Sequence, residues 1–241
     1  MILYLYAIAE GLEHVDDIRG AAGEPLKLLA LEGLQVVTGE IDTAPRVDER
    51  SLSRQDEVVR RLQARAAALL PMRFGAAFAS TADMQRALGL RAPTLRERLA
   101  LVRGAEQMTA RILAPAAPRA PASTAVSLPA SGGRPAAPAA PGAAGALGGA
   151  PAGAKGGARY LRARAARAMP QEIVPLLDIL KPLTRAARVE PGKAPAIIAT
   201  VYLLIDRGTS AEFEAAVQTA AGAMPGLSIR ITGPAPCYAF A

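Results

Sequence analysis

The sequence predicts an α+β fold with two domains: an N-terminal ferredoxin-like antiparallel α/β sandwich and a smaller C-terminal α+β domain. Strand-like and helix-like segments follow one another in mixed order, with a hairpin among them, which favours an antiparallel sheet covered by helices. The same mixture returns after residue 159. Between the two parts, 35 of the 45 residues from 114 to 158 are Ala, Gly or Pro, a composition typical of a linker.

Three strands are predicted first. "ILYLYAIA" (residues 2–9) is rich in β-formers and apolar on both faces, as expected for a strand in the middle of a sheet. "LKLLAL" (26–31) and "LQVVTGEI" (34–41) are separated only by Glu32 and Gly33. This spacing predicts a hairpin in which Gly33 adopts a positive φ.

A helix is predicted from Ser53. Ser53 and Asp56 match the capping-box pattern, and apolar residues then recur at helical spacing. These residues are Val58, Leu62, Ala66 and Leu69. Pro71 is expected to end the helix, and "MRFGAAFA" (72–79) is expected to form the next strand.

Two short helices and a strand complete the N-terminal part. Ser80 and Asp83 predict the start of the first helix, and Pro93 predicts the start of a second helix that Gly104 ends. In "EQMTARIL" (106–113), apolar and polar residues alternate, which predicts a half-buried strand.

The C-terminal part begins at about Arg159. The predicted order is a helix in "ARYLRARAARAM", a helix broken at its prolines in "PQEIVPLLDILKPLTRAARV", a strand in "AIIATVYLLID", a helix in "TSAEFEAAVQTAAGAM" and a strand in "GLSIRITG". Thr209 or Ser210 is the expected N-cap of the last helix. The final segment, "PAPCYAFA", has no regular period.

Four regions follow from these predictions. They are an N-terminal domain (1–113), a disordered linker (114–158), a C-terminal domain (159–233) and a tail (234–241) that packs on the folded body. The linker composition cannot bury enough apolar area to offset the entropy of ordering. An uncharged run within it (136–154) is long enough to span a membrane, but its prolines and glycines make it a poor helix, so no membrane partner is expected.

Charge and rare residues limit the classes of function. The formal net charge of +7 admits nucleic acid, an anionic membrane or an acidic protein as a partner. One cysteine and one histidine exclude an intramolecular disulfide and make a zinc site built from protein ligands alone untenable. The apolar N-terminus lacks the basic residues of a signal peptide, so we expect a cytoplasmic protein.

No motif predicts catalysis, a cofactor or a metal. In the glycine-rich run, Lys155 follows Ala154 and precedes Gly156, which does not match a phosphate-binding P-loop. His14 has no second histidine or cysteine near it and is interpreted as a loop residue. Cys237 has no basic neighbour to activate it and is interpreted as a small apolar side chain.

Nucleic-acid binding is the alternative function. The arginines of "RYLRARAAR" (159–167) could contact phosphates, with Tyr160 as a stacking platform. A ferredoxin-like sheet that binds RNA carries clustered aromatic residues on adjacent strands, whereas Tyr4, Tyr6 and Phe74 stand in apolar runs. Nucleic acid is therefore the less favoured partner.

Several segments, in order, resemble the GvpL/GvpF family of gas vesicle proteins, which carry an "LPLRFGT" type strand and a "TGPWPPYSF" type tail. The segments are "YLYAI", "LLPMRFGAAF", "ARYLRARAAR", "VYLLID" and "GLSIRITGPAPCYAF". The matching positions are Pro71, Arg73, Phe74, Gly75, Thr232, Gly233, Pro234, Pro236, Tyr238 and Phe240. Ala235 stands where the family favours Trp, and Cys237 where it favours Pro. The resemblance covers residues 1–113 and 159–241.

The resemblance implies a minor gas vesicle accessory protein without enzymatic activity. Its implied partners are the small hydrophobic shell protein, whose nucleation and assembly it supports, and other accessory proteins. The implied partner-binding or tail-docking residues are Arg73, Phe74, Pro234, Pro236, Tyr238 and Phe240. Two roles of Arg73 stay open: it is a strand-end residue whose charge reaches water, or it contacts a partner. A small-ligand-binding regulatory domain is a third hypothesis, because a fold does not determine a function.

Overall fold

Two antiparallel sheets form the framework of the protein. The structure is a computed structural model that describes residues 1–114 and 171–241, apart from residues 193, 195, 223 and 225. The first sheet consists of β1 (Ile2–Glu10), β2 (Leu26–Leu31), β3 (Leu34–Ile41), β4 (Ala68–Pro71) and β5 (Ala77–Phe78). Its order is β2-β3-β1-β4, and β5 pairs with β1. Apart from Ala114, the predicted linker and the helix predicted in "ARYLRARAARAM" lie outside the described residues.

The second sheet repeats the strand order of the first. It consists of β6 (Ala105–Leu113), β7 (Ala186–Pro191), β8 (Ile197–Asp206) and β9 (Ser228–Ala235), in the order β7-β8-β6-β9. In each sheet the first strand lies between the third and the fourth, which is the order of a ferredoxin-like sheet. The predicted mixed, antiparallel fold of ferredoxin-like type is therefore confirmed.

The predicted layout as two domains is not confirmed. β6, grouped with the N-terminal elements in the sequence analysis, pairs with β8 and β9 in the second sheet. Residues 1–114 and 170–241 form one compact unit. The predicted domain boundaries therefore stay a prediction.

The hairpin of β2 and β3 forms as predicted. Leu31 pairs with Leu34, so Glu32 and Gly33 alone make the turn. Glu32 has φ 52° and Gly33 has φ 69°. Two consecutive positive φ values match the twist of the flanking strands, and glycine adopts such a value without steric strain.

The first helix starts and ends earlier than predicted. α1 spans Glu49–Arg65, because the side chain of Asp48 accepts a hydrogen bond from the Ser51 N–H at 2.8 Å and caps the helix there. It ends before Pro71, because Ala68–Pro71 pairs with β1 as β4. The proline is the last residue of a strand and not the residue that ends the helix.

The continuous strand predicted over residues 72–79 is wrong: only Ala77–Phe78 forms a strand (β5), and residues 73–75 leave the ladder altogether. The Met72 N–H donates to the Tyr6 carbonyl at 2.9 Å, and the Leu5 N–H donates to the Ala76 carbonyl at 2.8 Å. Met72 and Ala76 thus bind to the adjacent β1 residues Tyr6 and Leu5, and residues 73–75 form a loop between them. The ladder resumes at β5.

The two short helices after β5 are confirmed. α2 spans Thr81–Gly89 and α3 spans Ala92–Val102. The Ser80 hydroxyl accepts from the Asp83 N–H at 3.1 Å and donates to the Asp83 carboxylate at 2.7 Å, as the sequence pattern indicates. The apolar face of α3 is buried through Leu95, Leu99 and Val102.

The C-terminal helices are mostly as predicted. A 3-10 turn (Gln171–Ile173), α4 (Val174–Leu180) and a second 3-10 turn (Lys181–Leu183) form the helix that its prolines interrupt. The helical prediction is wrong for residues 186–189, because Ala186–Pro191 pairs with β8 as β7. α5 spans Ser210–Gly222 and buries Phe213 and Val217, in agreement with their predicted spacing.

Three apolar clusters stabilise the fold. The first lies between one face of the first sheet and α1, and the second lies on the opposite face against α2 and α3. The second cluster also contains Leu204 of β8 and Cys237 of the tail. The third cluster joins the second sheet to α4 and α5. β1 is therefore buried on both faces, as its sequence predicts.

A buried hydrogen-bond network connects β1 to α1 and to the loop after β4. The Tyr4 hydroxyl donates to the Gln55 side chain and accepts from the Gly75 N–H at 2.9 Å. The Gln55 amide in turn donates to the Met72 carbonyl at 3.1 Å. Gln55 is only 3% exposed, and each of its amide atoms has a partner.

Tyr6 makes the equivalent connection to residues 20–24. Its hydroxyl donates to the Glu24 carboxylate and accepts from the Ala21 N–H at 2.7 Å. Burial raises the pKa of both Tyr4 and Tyr6, so both phenols stay protonated at neutral pH. The two rings meet edge to face, with centroids 5.0 Å apart.

Replacing Gln55 tests the importance of this network. Gln55→Ala leaves the Met72 carbonyl without its side-chain donor and the Tyr4 hydroxyl without its acceptor. We expect a loss of about 1 to 3 kcal/mol in the free energy of unfolding, measured by urea denaturation. Gln63→Ala on the same helix is the control and should change it by less than about 0.5 kcal/mol. Equal effects of the two substitutions would contradict the assignment.

A second prediction concerns an ion pair between the segment that follows β1 and α1. Arg65 donates to both carboxylate oxygens of Asp17 at 2.5 Å, and these bonds lower the pKa of Asp17 from 3.8 to about 2. A lowered folded-state pKa contributes stability that is present above the unfolded pKa and is lost as the pH falls through the folded value. The contribution should therefore disappear between about pH 4 and pH 2.

The measurement compares urea midpoints of the wild type and Asp17→Asn across this pH range. The wild type should have the higher midpoint at pH 7, and the difference should shrink below pH 4 and with added salt. Asp16→Asn is the matched control, because Asp16 is exposed and forms no ion pair within the described residues. A difference that is independent of pH would show that the carboxylate does not act through its charge.

Candidate functional site: the loop after β4 and the C-terminal tail

The two segments that carry the sequence pattern approach the same stretch of α1. The loop after β4 (residues 72–76) is held by Gln55 through the Met72 carbonyl. The tail (residues 234–241) is held by Asp56 and Arg60 of the same helix. The Tyr238 hydroxyl donates to Asp56 at 3.2 Å. Arg60 donates to the Pro234 carbonyl at 3.1 Å. Helix α1 thus positions both segments.

The loop presents Arg73 to solvent and Phe74 to the core. Arg73 is exposed, and within the described residues its side chain forms no hydrogen bond or ion pair. Phe74 is half-buried and packs edge-on to Tyr4, with ring centroids 6.4 Å apart and an interplanar angle of 73°. Arg73 is therefore not a strand-end residue: it lies at the outer part of a loop.

The backbone of the tail is tied to the second sheet. β9 continues to Ala235, which pairs with Gln107 of β6. The Gln107 side chain accepts a hydrogen bond from the Ala239 N–H at 2.9 Å, and Arg188 of β7 donates to the Ala239 carbonyl at 3.0 Å. Gln107 is only 5% exposed. The alternation in "EQMTARIL" predicts that Gln107 faces solvent, and no local pattern connects it with the tail.

The side chains of the tail are buried to different degrees. Pro236 and Cys237 are buried, and Phe240 and Ala241 pack against the second apolar cluster. Tyr238 is 38% exposed, and burial, with Asp56 as the next cause, raises the pKa of its phenol. The aromatic residues of the tail are thus partly covered by the body and partly open to solvent.

Cys237 occupies an apolar environment. Its thiol contacts the Ala105 carbonyl at 3.9 Å, and burial raises its pKa to about 12. A thiol of this kind is protonated at neutral pH and is a poor nucleophile. The structure therefore agrees with the interpretation of Cys237 as a small apolar side chain.

Gly233 allows the tail to turn closely over β6. Its φ is +141°, and a Cβ atom there would lie 2.7 Å from the Met108 sulfur and 2.9 Å from the Gln107 carbonyl oxygen. These distances leave no room for a side chain. The glycine of the "TGP" segment is thus required by close backbone packing.

A cavity of about 210 Å³ lies beside Ala235. It is lined by Arg60, Gln63, Ala64, Glu106, Arg207 and residues 234–236. Ala235 is the position at which the sequence pattern of the resembling family has Trp. The small side chain leaves open a space between the tail, α1 and the start of the second sheet.

Other groups named in the sequence analysis lie elsewhere. His14 is exposed in the segment between β1 and β2. Within the described residues, no group of three or more His, Cys, Asp or Glu side chains is placed to hold a metal ion. None of the helices found in those residues combines the length and the hydropathy that a membrane span requires.

The single cysteine provides a direct measurement of how firmly the tail is held. Gln107→Ala removes the acceptor of the Ala239 N–H, so the tail should open more often and expose Cys237. We expect dithiobis(nitrobenzoic acid) to label Cys237 about tenfold faster under native conditions. Thr109→Ala, which removes only the 3.3 Å partner of the Gln107 amide, is the control and should not change the rate. An unchanged rate in Gln107→Ala would show that this contact does not hold the tail.

Comparison with known proteins identifies structures that share this fold. A crystal structure of the gas vesicle protein GvpF from Anabaena sp. PCC7120 matches with a TM-score of 0.68 and 16% identity, covering 99% of this chain and 95% of that chain. GvpF from Microcystis aeruginosa matches with a TM-score of 0.67 and 16% identity, covering 99% and 98%. No curated protein gives a significant match. The family model described as "Gas vesicle synthesis protein GvpL/GvpF" matches residues 2–241, and the chain therefore belongs to the GvpL/GvpF family.

Proposed function

We propose that this chain is a non-catalytic gas vesicle assembly protein. In this role it binds the small hydrophobic shell protein in the cytoplasm, prevents its aggregation, and supports the nucleation and assembly of the vesicle, where it also contacts other accessory proteins. Family membership supports a role related to gas vesicles. The observation that carries the finer proposal is the convergence of the loop after β4 and the tail on one stretch of α1.

This convergence creates a surface suited to a partner with apolar segments. Phe74, Tyr238 and Phe240 are each partly exposed, and Arg73, next to Phe74 in the loop, forms no hydrogen bond or ion pair within the described residues. Partly exposed aromatic and arginine side chains on a rigid support are typical of residues that dominate binding energy at protein interfaces. Pro234 and Pro236 restrict the backbone and lower the entropy lost when the tail is ordered.

The distribution of charge favours a protein partner over nucleic acid for the part of the chain outside residues 115–170. Residues 115–170 contain seven basic and no acidic residues, so the rest of the chain, with 21 basic and 21 acidic residues, is neutral. A nucleic-acid interface on the sheets would need an excess of basic side chains to neutralise phosphates. Any binding of nucleic acid would depend on the basic segment and would weaken strongly between about 50 and 200 mM salt.

The first experiment tests capture of the shell protein. The full chain and the small shell protein are co-expressed, and copurification and suppression of shell-protein aggregation are measured at low and at high salt. We expect both effects, with little dependence on salt, because apolar burial is not screened. Failure of both effects would contradict the proposed function, and loss of capture at high salt would favour an electrostatic partner.

The second experiment tests the residues of the site. Phe240→Ala should weaken capture about tenfold while it lowers the melting temperature by only a few degrees, because Phe240 is half-buried at the edge of its cluster. Arg73→Ala should weaken capture without a change in melting temperature, since its exposed side chain forms no hydrogen bond or ion pair within the described residues. Arg91→Ala is the control, an exposed arginine outside the site. Equal capture by all three variants would show that Arg73 and Phe240 do not belong to the binding surface.

A further inference from the structure

The outer edge of β9 has no partner strand in the described part of the chain. β9 lies at the end of the order β7-β8-β6-β9 and pairs with β6 on one side only. In an antiparallel strand, alternate residues direct their N–H and C=O groups to opposite sides, so half of these groups between residues 228 and 233 point away from β6. Such an edge is a template for another strand.

A groove runs beside this edge between α5 and β9. Its volume is about 280 Å³, and it is lined by Glu214, Val217, Gln218, Ala221, Ile229 and Ile231. Ile229 and Ile231 are only half-buried, although they belong to the apolar side of the second sheet. The floor of the groove is thus apolar, and its helical rim carries one carboxylate and one amide.

The opposite face of β9 carries an unusual pair of charges. Arg230 lies directly opposite Arg111 of β6 in the antiparallel register. Both side chains are exposed, and neither forms an ion pair within residues 1–114 and 171–241 as described. Like charges at opposed positions of a sheet repel each other, so a carboxylate placed beside them is attracted by both.

We infer that β9 and α5 form a docking site for an extended segment of a partner protein, which adds to the second sheet as a fifth strand. Successive side chains of a strand point to opposite faces, so alternate apolar side chains of the segment enter the groove. The residues between them are acidic and lie beside Arg230. Backbone hydrogen bonds supply affinity and the groove supplies specificity, as in other cases of strand addition.

The site is separate from the loop and the tail, and it does not rest on the proposed function. Two other occupants match its charge less well. Residues 115–170 of the same chain contain seven basic and no acidic residues, so they would bring positive charge to Arg230. A second copy that paired through β9 would bring its own Arg230 to the same short edge.

The test uses two synthetic peptides and the full chain. The first is a fluorescein-labelled peptide of alternating valine and glutamate, and in the second each glutamate is replaced by lysine. Fluorescence anisotropy should show that the wild type prefers the glutamate peptide, and Arg230→Glu should reverse the preference by about tenfold. Arg91→Glu, with the same change in net charge, is the control and should preserve the wild-type preference. Hydrogen exchange should show new protection of residues 228–233 on binding.

A modified peptide and one more protein variant separate the contributions of the backbone and of the groove to binding. A glutamate peptide with alternate backbone amides methylated should lose binding, and Ile231→Thr should weaken it several-fold by reducing apolar contact in the groove. If Ile231→Thr fails to fold, Arg230→Glu still tests the site, because Arg230 is exposed and its replacement should leave the fold intact. Equal affinity of the wild type for both peptides, unchanged exchange of residues 228–233, or a solution dimer whose dissociation exposes them would overturn the inference.

Discussion

Two buried phenol hydroxyls on the central strand constrain most of the N-terminal structure. A hydroxyl inside an apolar core costs free energy unless it has hydrogen-bond partners. Tyr4 finds its partners on α1 and in the loop after β4, and Tyr6 finds its partners in residues 20–24. Once β1 lies in the middle of the sheet, the conformations of α1, the loop after β4 and residues 20–24 are therefore restricted to those that supply these partners. In this chain, the "PMRFG" segment meets this requirement through the Met72 carbonyl and the Gly75 N–H.

Both sheets have the same strand order but different degrees of cover. The first sheet is packed on both faces, whereas the second carries helices on one face; on its other face Leu204 joins the second cluster, while Arg111 and Arg230 are exposed. The second apolar cluster includes residues of the second sheet and of the tail. The tail therefore contributes to a core and does not simply lie on a surface, which gives its sequence a structural constraint.

Local signals allowed many elements to be predicted from the sequence. The turn at Glu32 and Gly33 and the cap formed by Ser80 and Asp83 depend on residues adjacent in the chain, and both were predicted correctly. The strand through Arg73 was predicted wrongly, because a buried glutamine and a buried tyrosine take the hydrogen bonds that a ladder would use. No pattern near residue 73 contains that information.

In the candidate site, too, local patterns were predicted from the sequence and contacts between distant residues were not. The sequence identified the loop and the tail through their resemblance to a family, but it did not identify Gln107 or Arg188, which bind the backbone of Ala239. Gln107 alternates with apolar residues in β6 and is typical of the solvent face of a strand. Its burial follows from the position of the tail, which is set by contacts more than one hundred residues away in sequence.

Ala235 lines an open space and so adds little apolar burial to the tail. A tryptophan at this position could bury a large apolar surface in the space now left as a cavity of about 210 Å³. Without it, apolar burial in the tail comes from its other residues, chiefly Pro236, Cys237 and Phe240. The hydrogen bonds of the tail are single ones: Arg60 and Arg188 donate to its carbonyls, Gln107 accepts from the Ala239 N–H, and Tyr238 donates to Asp56. Each such bond contributes only about 1 kcal/mol, while each ordered residue loses about 1 to 2 kcal/mol of backbone entropy. We expect a tail held in this way to open at a lower free energy than the core, and a partner that bound its half-exposed aromatic residues would also stabilise the closed position.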